Sequence, residues 1–183
     1  QGACNRNGID EPVGINAVER FLGDYALEKG WQLPVPAADT GKRILIVGAG
    51  PAGLSAAYQL RRLGHAVHVV ESAEAAGGMM RYGIPKYRLP REVLDQEIAR
   101  IAALGVEFEF GREVKDLNAE MKSAGYDAAF LGAGASLAHR AYIPAGDAAH
   151  ILDAVSVLRS MEAPDQGEDA PMLGRRVVVY GGG

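Results

Sequence analysis

The residues best suited to chemistry form the short run from Gly48 to Gly53, which reads Gly-Ala-Gly-Pro-Ala-Gly. This spacing is typical of a loop that binds the pyrophosphate of a dinucleotide. Gly48 permits a tight turn, Gly50 lets the backbone approach the phosphates, and Gly53 lets a helix pack closely on a strand. The phosphates then lie at a helix N-terminus, where unpaired N–H groups and the helix dipole favour negative charge. The run therefore predicts a pyrophosphate-binding turn.

Glu71 follows Gly48 by 23 positions. In dinucleotide-binding folds an acidic residue roughly 20 positions after the first glycine accepts hydrogen bonds from ribose hydroxyls. The match between Glu71 and this spacing strengthens the prediction. The alternative is that the glycines serve only as turn residues and that Glu71 is a solvated strand end.

A strand, a turn and a helix are needed to position these residues. Arg43 to Val47 is a short apolar β-branched segment, and a helical pattern with Leu54, Ala57 and Leu60 follows the glycines. Ala66 to Val70 supplies a second apolar strand, which completes a β-α-β unit and indicates a parallel sheet covered on both faces. Further along the chain, the patterns predict a glycine-rich loop at Gly77 to Pro90, a helix at Arg91 to Leu104, a strand at Val106 to Phe110, a helix at Asp116 to Ala124, a strand at Tyr126 to Leu131, a helix at Ile151 to Met161, a polar loop at Pro164 to Pro171 and a strand at Arg176 to Tyr180.

An arm precedes this domain. Apolar residues recur at helical spacing between Ile15 and Lys29, which predicts an amphipathic helix. Leu33 to Gly41 breaks the pattern with prolines and a glycine, so we expect a linker there and a domain that starts near Lys42.

Composition excludes several classes of protein. Hydrophobic residues make up 48% of the 183-residue chain and charged residues 23%, as in globular domains. The net charge of −4 provides no general basic field for nucleic acid. No apolar run reaches the ~20 residues of a membrane-spanning helix. The single cysteine, Cys4, forms no disulfide framework and fits a reducing, cytoplasmic setting. Because the chain starts with Gln1 and stops at Gly183, we expect both ends to be cuts.

Either NAD or FAD can occupy a loop of this kind. Three features favour FAD: the Gly77-Gly78 pair after Glu71, the Gly132-Ala133-Gly134 turn after a later strand, and the start of a second glycine run at Gly181. Two dinucleotide sites in one chain usually serve two different dinucleotides, so we expect FAD at the first site.

The chain resembles the small (β) subunit of NADPH-dependent glutamate synthase and its relatives, including the N-terminal part of dihydropyrimidine dehydrogenase. The resemblance covers nearly the whole sequence. The motifs that carry it are Asp10 to Val13 leading into Ala17 to Arg20, the run at Gly48, Gly77 to Pro85 with Arg88 to Pro90, and Val177 to Gly183.

The resemblance implies a Rossmann-like α/β FAD-binding domain with a parallel sheet, preceded by a helical arm. It implies the C-terminal end of an iron–sulfur helical domain plus linker at residues 1–41, the first part of the FAD domain at 42–172, and the first strand of a truncated NAD(P)H domain at 173–183. In the family, hydride passes from NAD(P)H to FAD, and single electrons then pass through 4Fe-4S clusters to a redox partner subunit or domain, such as a glutamate synthase large subunit.

The resemblance also assigns cofactor-binding residues by motif. Cys4 resembles the last cluster ligand of the iron–sulfur domain, or else is an unpaired thiol. No catalytic acid–base residue is expected, because cofactor placement drives the chemistry. The residues expected to contact FAD are Gly48, Ala49, Gly50, Pro51, Ala52 and Gly53 at the pyrophosphate, Glu71 at the ribose, Gly78, Met79 and Arg81 along the pyrophosphate and ribitol, Val114 at the adenine, and Gly132 and Ala133 closing over the cofactor.

A basic cluster of Arg81, Lys86, Arg88 and Arg91 either tunes the flavin charge or is a solvated loop. At the level of function the leading hypothesis is an NAD(P)H-dependent flavoprotein oxidoreductase, of which this fragment alone is expected to be inactive. A non-catalytic flavoprotein-like interaction module and a simple NAD-binding dehydrogenase domain are the alternatives.

Overall fold

A computed structural model of the chain describes residues 2–135, 151–162 and 174–181. The predicted loop at Pro164 to Pro171 lies outside these ranges. The elements, in chain order, are a 3-10 helix at Asn5–Gly8, α1 at Ile15–Glu28, β1 at Arg43–Val47, α2 at Pro51–Arg62, β2 at Ala66–Val70, α3 at Met79–Tyr82, α4 at Arg91–Ala102, β3 at Glu107–Glu109, α5 at Leu117–Ala124, β4 at Ala128–Leu131 and α6 at Ala154–Ser160.

The four strands form one parallel sheet in the order β3-β2-β1-β4. The chain first moves outward from β1 through β2 to β3, and then returns to place β4 on the other side of β1. In open α/β sheets, the point where the strand order reverses opens a crevice at the carboxyl ends of the strands. Here that point lies between β1 and β4. The predicted α/β fold with a parallel sheet is confirmed.

Successive residues of β1 face opposite sides of the sheet, so each side has its own core. Ile46 packs with Leu54 and Ala57 of α2, and Ile98 and other residues of α4 lie against the same cluster. On the other side Leu45 packs with Val70 of β2 and with residues in or beside α5, namely Val114, Leu117, Met121 and Tyr126. Helices therefore cover both faces, as the continuous apolar character of the strands predicts.

The linker crosses to the end of α2 that lies farthest from the glycine run. The N–H of Ala37 donates to the carbonyl of Arg62 (2.9 Å) and that of Thr40 to the carbonyl of Gly64 (3.1 Å). Gly64 has a φ of +87°, and a side chain there would overlap the carbonyl of Ala38. Gly64 therefore both ends the helix and lets the linker pass against it.

The strand predicted at Arg176 to Tyr180 is not formed among the described residues, and Val178 is 92% exposed. A β-strand exists only when a neighbour satisfies its backbone groups, and no strand in the described ranges pairs with this segment.

Among the helices in those same ranges, none combines the length and apolarity needed to cross a membrane.

Candidate dinucleotide site

Glycines from three loops converge at the carboxyl edge of the sheet. Gly48, Gly50 and Gly53 follow β1, Gly78 follows β2, and Gly132 follows β4. A Cβ on Gly48 would overlap the carbonyl oxygen of Gly132, and a Cβ on Gly78 would lie 2.7 Å from the Cα of Gly50. The close approach of these backbones leaves no room for side chains between them. We call these five residues the glycine cluster.

Hydrogen bonds fix the loops that carry the cluster. The N–H of Gly48 donates to the carbonyl of Val70 and the N–H of Gly132 to the carbonyl of Val47, each at 2.8 Å. The N–H of Gly77 donates to the carbonyl of Ala49, also at 2.8 Å. The loops after β1, β2 and β4 are thereby joined through their backbones.

The N-terminus of α2 opens onto this floor. Gly50 is its N-cap, Pro51 its first residue, and no side chain caps it. The first N–H groups of a helix have no partner within the helix. Those of Ala52 and Gly53 therefore belong to a terminus whose dipole attracts anions. The structure thus brings together the six residues from Gly48 to Gly53 as a potential phosphate site.

Glu71 lies directly after β2, beside the cluster. Its Oε2 atom accepts a hydrogen bond from the N–H of Ala49 (2.7 Å), and its Oε1 atom accepts from the N–H of Ala73 (2.9 Å) and the hydroxyl of Ser72 (3.1 Å). The carboxylate is half-buried rather than a solvated strand end. Because each carboxylate oxygen can accept two hydrogen bonds, Oε2 retains a free lone pair for a ligand hydroxyl.

Gly78 and Met79 border the same crevice, whereas the side chain of Arg81 turns away from solvent. Gly78 is the N-cap of α3 and Met79 its first residue, with a half-exposed side chain. The side chain of Arg81 is 10% exposed; its guanidinium donates to the carbonyl of Ala76 (2.6 Å) and pairs with Asp95. Any contribution of Arg81 to a ligand would therefore come from its backbone or from the position of α3.

Of the other residues predicted to contact the cofactor, Gly132 and Ala133 lie beside Gly48, whereas Val114 lies on the α5 side of the sheet. Gly132 and Ala133 follow β4, and the N–H of Ala133 is 3.2 Å from the place a Cβ on Gly48 would take. Val114 packs against the core cluster of Leu45 and Val70, on the α5 side of the sheet. Its backbone therefore lies beyond the end of β3 rather than beside α2.

The basic cluster divides into two largely buried arginines and two exposed residues. Arg81 is paired with Asp95, and Arg91 forms a bidentate ion pair with Glu162 (2.8 and 2.9 Å). Lys86 and Arg88 are exposed. Sequence reasoning missed Glu162, because 71 positions separate it from Arg91 and its polar loop carries no motif.

Cys4 lies in the arm, immediately before the 3-10 helix. Hydrogen bonds from the backbone N–H groups of Val13 and Arg6 lower the pKa of its thiol. Throughout residues 2–135, 151–162 and 174–181, no group of three or more His, Cys, Asp or Glu side chains is arranged to hold a metal ion. Cys4 therefore has no co-ligands within those ranges.

The sheet order, the glycine cluster and the acidic residue after β2 define a dinucleotide-binding α/β domain. Residues 42–183 match the family model of the pyridine nucleotide-disulphide oxidoreductases. The chain belongs to this family of oxidoreductases.

Curated relatives match over the whole chain. It is 38% identical to glutamate synthase [NADH] of Schizosaccharomyces pombe over 100% of this chain and 9% of that protein. It is 37% identical to the NAD-dependent dihydropyrimidine dehydrogenase subunit PreT of Salmonella typhimurium, over 100% of this chain and 44% of the relative. It is 35% identical to the glutamate synthase [NADPH] small chain of Mycobacterium tuberculosis, over 99% and 39%. The predicted resemblance is confirmed, and the chain spans less than half the length of each relative.

A solved structure shares the fold. Mycobacterium tuberculosis FprA in complex with NADPH superposes with a TM-score of 0.56 at 23% identity, over 65% of this chain and 28% of FprA. The likeness supports the α/β architecture of the domain.

Proposed function

We propose that the glycine cluster binds FAD. In the whole protein, we infer, this module takes electrons from NAD(P)H through FAD to 4Fe-4S clusters and a redox partner subunit or domain. The family is one of oxidoreductases that use pyridine nucleotides. The relatives named above are glutamate synthases and a dihydropyrimidine dehydrogenase subunit, and each name includes NADH, NADPH or NAD.

The observation that carries the proposal is the environment of Gly50. Its φ of −76° suits any residue, and a Cβ there would have its nearest neighbour, the Cα of Gly78, at 3.8 Å, which is ordinary contact. Neither the backbone conformation nor the packing therefore requires a glycine at this position. Gly50 lies at a helix N-terminus, where a side chain would obstruct a ligand that approaches the backbone closely. A glycine at this position therefore fits a bound ligand better than it fits a requirement of the fold.

The remaining groups fit the parts of FAD. The N–H groups of Ala52 and Gly53 would donate to the pyrophosphate, and Oε2 of Glu71 would accept a hydrogen bond from an adenosine ribose hydroxyl. Gly132 and Ala133 would close the crevice from the β4 side. When bound, FAD accepts hydride from a nicotinamide and releases electrons singly. This chain would bind and orient the cofactor, and we assign no side chain to proton transfer.

The test is a titration of the natural full-length protein with FAD and with NADPH, followed by flavin fluorescence and thermal stability. We expect saturable FAD binding with thermal stabilisation. Gly50→Ala should weaken FAD binding at least about tenfold, ~1.4 kcal/mol, while leaving the ligand-free protein folded. Gly23→Ala, at an open position of α1, is the matched control and should bind FAD normally. Tight nicotinamide binding with no response to FAD would indicate a simple dehydrogenase domain and overturn the proposal.

Cys4 is proposed as an iron–sulfur ligand of the whole protein. The nearby N–H groups that lower the pKa of its thiol favour the thiolate, which is the form that binds iron. Cys4→Ser should reduce the iron and acid-labile sulfide content of the natural protein. Unchanged iron and sulfide in that variant would show that Cys4 is an ordinary thiol.

A further inference from the structure

Arg91 organises the loop that runs from Gly78 to Pro90. It is the first residue of α4, and its guanidinium donates to the carbonyls of Leu89 (2.8 Å), Ile84 (2.7 Å) and Arg81 (2.5 Å). The carbonyl of Arg81 belongs to the last turn of α3, where helix geometry provides no internal donor. One side chain thus satisfies carbonyls at several points along the loop.

The same guanidinium holds α6. Its Nε and Nη2 atoms donate to the two carboxylate oxygens of Glu162, at 2.8 and 2.9 Å, and the side chains are only 11% and 13% exposed. Lys86 adds a longer contact at 3.8 Å. Glu162 follows the end of α6 by two residues. A bidentate, charge-assisted pair of this kind combines strength with a fixed geometry.

Arginine has five N–H donors in a planar fork, and all three nitrogens of Arg91 are in use; the two hydrogens of Nη2 are shared among the carbonyls of Arg81 and Ile84 and the Oε2 atom of Glu162. Lysine offers three donors around a single nitrogen, so it cannot reproduce both the carbonyl contacts and the bidentate pair. The arrangement therefore requires the number and planar geometry of the arginine N–H donors as well as the positive charge.

The loop that Arg91 holds begins at the glycine cluster. Gly78 caps α3 and lies against Gly50, while Arg91 contacts the carbonyl of Arg81 at the other end of the same short helix. We propose that Arg91 and Glu162 are positioning residues. They fix the position of α3 relative to the pyrophosphate site, and they hold α6 against the loop that contains α3. A change in the position of α6 would then change the position of α3, and with it the affinity for FAD. This inference rests on FAD binding at the glycine cluster.

The test compares Arg91→Lys and Glu162→Gln in the natural full-length protein, using FAD titration, thermal unfolding and the visible circular dichroism of the bound flavin. We expect weaker FAD binding, about three- to tenfold for Glu162→Gln and more for Arg91→Lys, and an altered flavin spectrum at saturating FAD. The matched controls are Arg100→Lys and Glu97→Gln, which disturb an ion pair (3.0 and 3.1 Å) on a later turn of α4. These should bind FAD with the parent's affinity and spectrum.

The outcomes separate the two proposals. A parent protein that binds no FAD would overturn the proposed function. A parent that binds FAD, with Arg91→Lys and Glu162→Gln variants that lose thermal stability but keep its affinity and flavin spectrum, would overturn the positioning role alone. If Arg91→Lys does not fold, Glu162→Gln decides, since it removes one charge and keeps the carbonyl contacts of Arg91.

Discussion

The backbone N–H of Ala49 donates a hydrogen bond of 2.7 Å to the Oε2 atom of Glu71. This bond joins the loop after β1 to the end of β2 at the edge of the glycine cluster. The carboxylate therefore shapes the site before any ligand arrives, in addition to the ribose contact proposed for it. Two roles for one side chain make its replacement informative.

Glu71→Gln should lower both stability and affinity for FAD. The amide has one acceptor oxygen, so its NH₂ group must face the N–H of either Ala49 or Ala73. Two N–H donors that face each other without an acceptor cost about 1–3 kcal/mol of folding free energy. This loss should lower the urea concentration at the unfolding midpoint of the ligand-free protein. Glu74→Gln, on an exposed carboxylate nearby, should change neither quantity. Parent-like stability in Glu71→Gln would contradict the structural role.

Gly53→Ala should destabilise the fold, in contrast to Gly50→Ala. A Cβ on Gly53 would overlap the carbonyl oxygen of Gly48 and lie 3.3 Å from the Cγ2 atom of Ile46. Overpacking of this kind typically costs about 1–3 kcal/mol. Thermal unfolding of the two variants side by side measures the contrast. Equal melting temperatures would mean that α2 and β1 are less tightly packed than the structure indicates.

Asp95→Ala should destabilise the protein because it leaves the guanidinium of Arg81 buried without its carboxylate partner. Asp95 is itself 58% exposed, so we expect a moderate loss of about 1–3 kcal/mol rather than that of a fully buried pair. Chemical denaturation provides the measurement. Asp24→Ala removes the exposed pair with Arg20 in α1 and should cost at most about 0.5 kcal/mol. Similar losses in both variants would show that Arg81 finds another partner.

Asp127 should contribute to the acid sensitivity of the domain. A hydrogen bond from Lys42 (2.8 Å), followed by one from the N–H of Arg43 (2.9 Å), holds the pKa of Asp127 below its ordinary value. Because the folded pKa lies below the unfolded one, the stabilisation is present above the unfolded pKa, about 4, and is lost as the pH falls through the folded pKa. Asp127→Asn should therefore flatten the fall in stability as the pH drops below the unfolded pKa. An unchanged profile would assign the acid sensitivity to other carboxylates.

The elements nearest the glycines were the easiest to predict. Arg43 to Val47 and Ala66 to Val70 match β1 and β2 residue for residue, because each is rich in β-branched apolar residues and has a glycine close to one end. The approach of Gly53 to Gly48 follows from the same spacing. Local sequence carries these features because β1 and β2 pair with each other within one β-α-β unit.

Features that depend on distant residues were not predictable. The short helix α3 lies in a loop that the glycines mark as irregular, and Arg91 satisfies a carbonyl at its end. The partner of Arg91, Glu162, lies 71 positions away. The segment from Arg176 to Tyr180 forms no strand for a related reason: its β-branched apolar residues favour a strand, but a strand also needs a neighbour with which to pair.

The strand order has a consequence for how the molecule is made. During synthesis β1 can pair with β2 as soon as both leave the ribosome, but its other edge waits for β4, which begins 85 residues after β1 does. At about 5–20 residues per second that delay is roughly 4 to 17 seconds. The carbonyl of Gly132 reaches Gly48 only then, so the FAD binding that we propose would follow the pairing of β4 with β1. Until β4 pairs with β1, the growing chain exposes the unpaired edge of an apolar strand. A chaperone that binds this chain would bind during that interval.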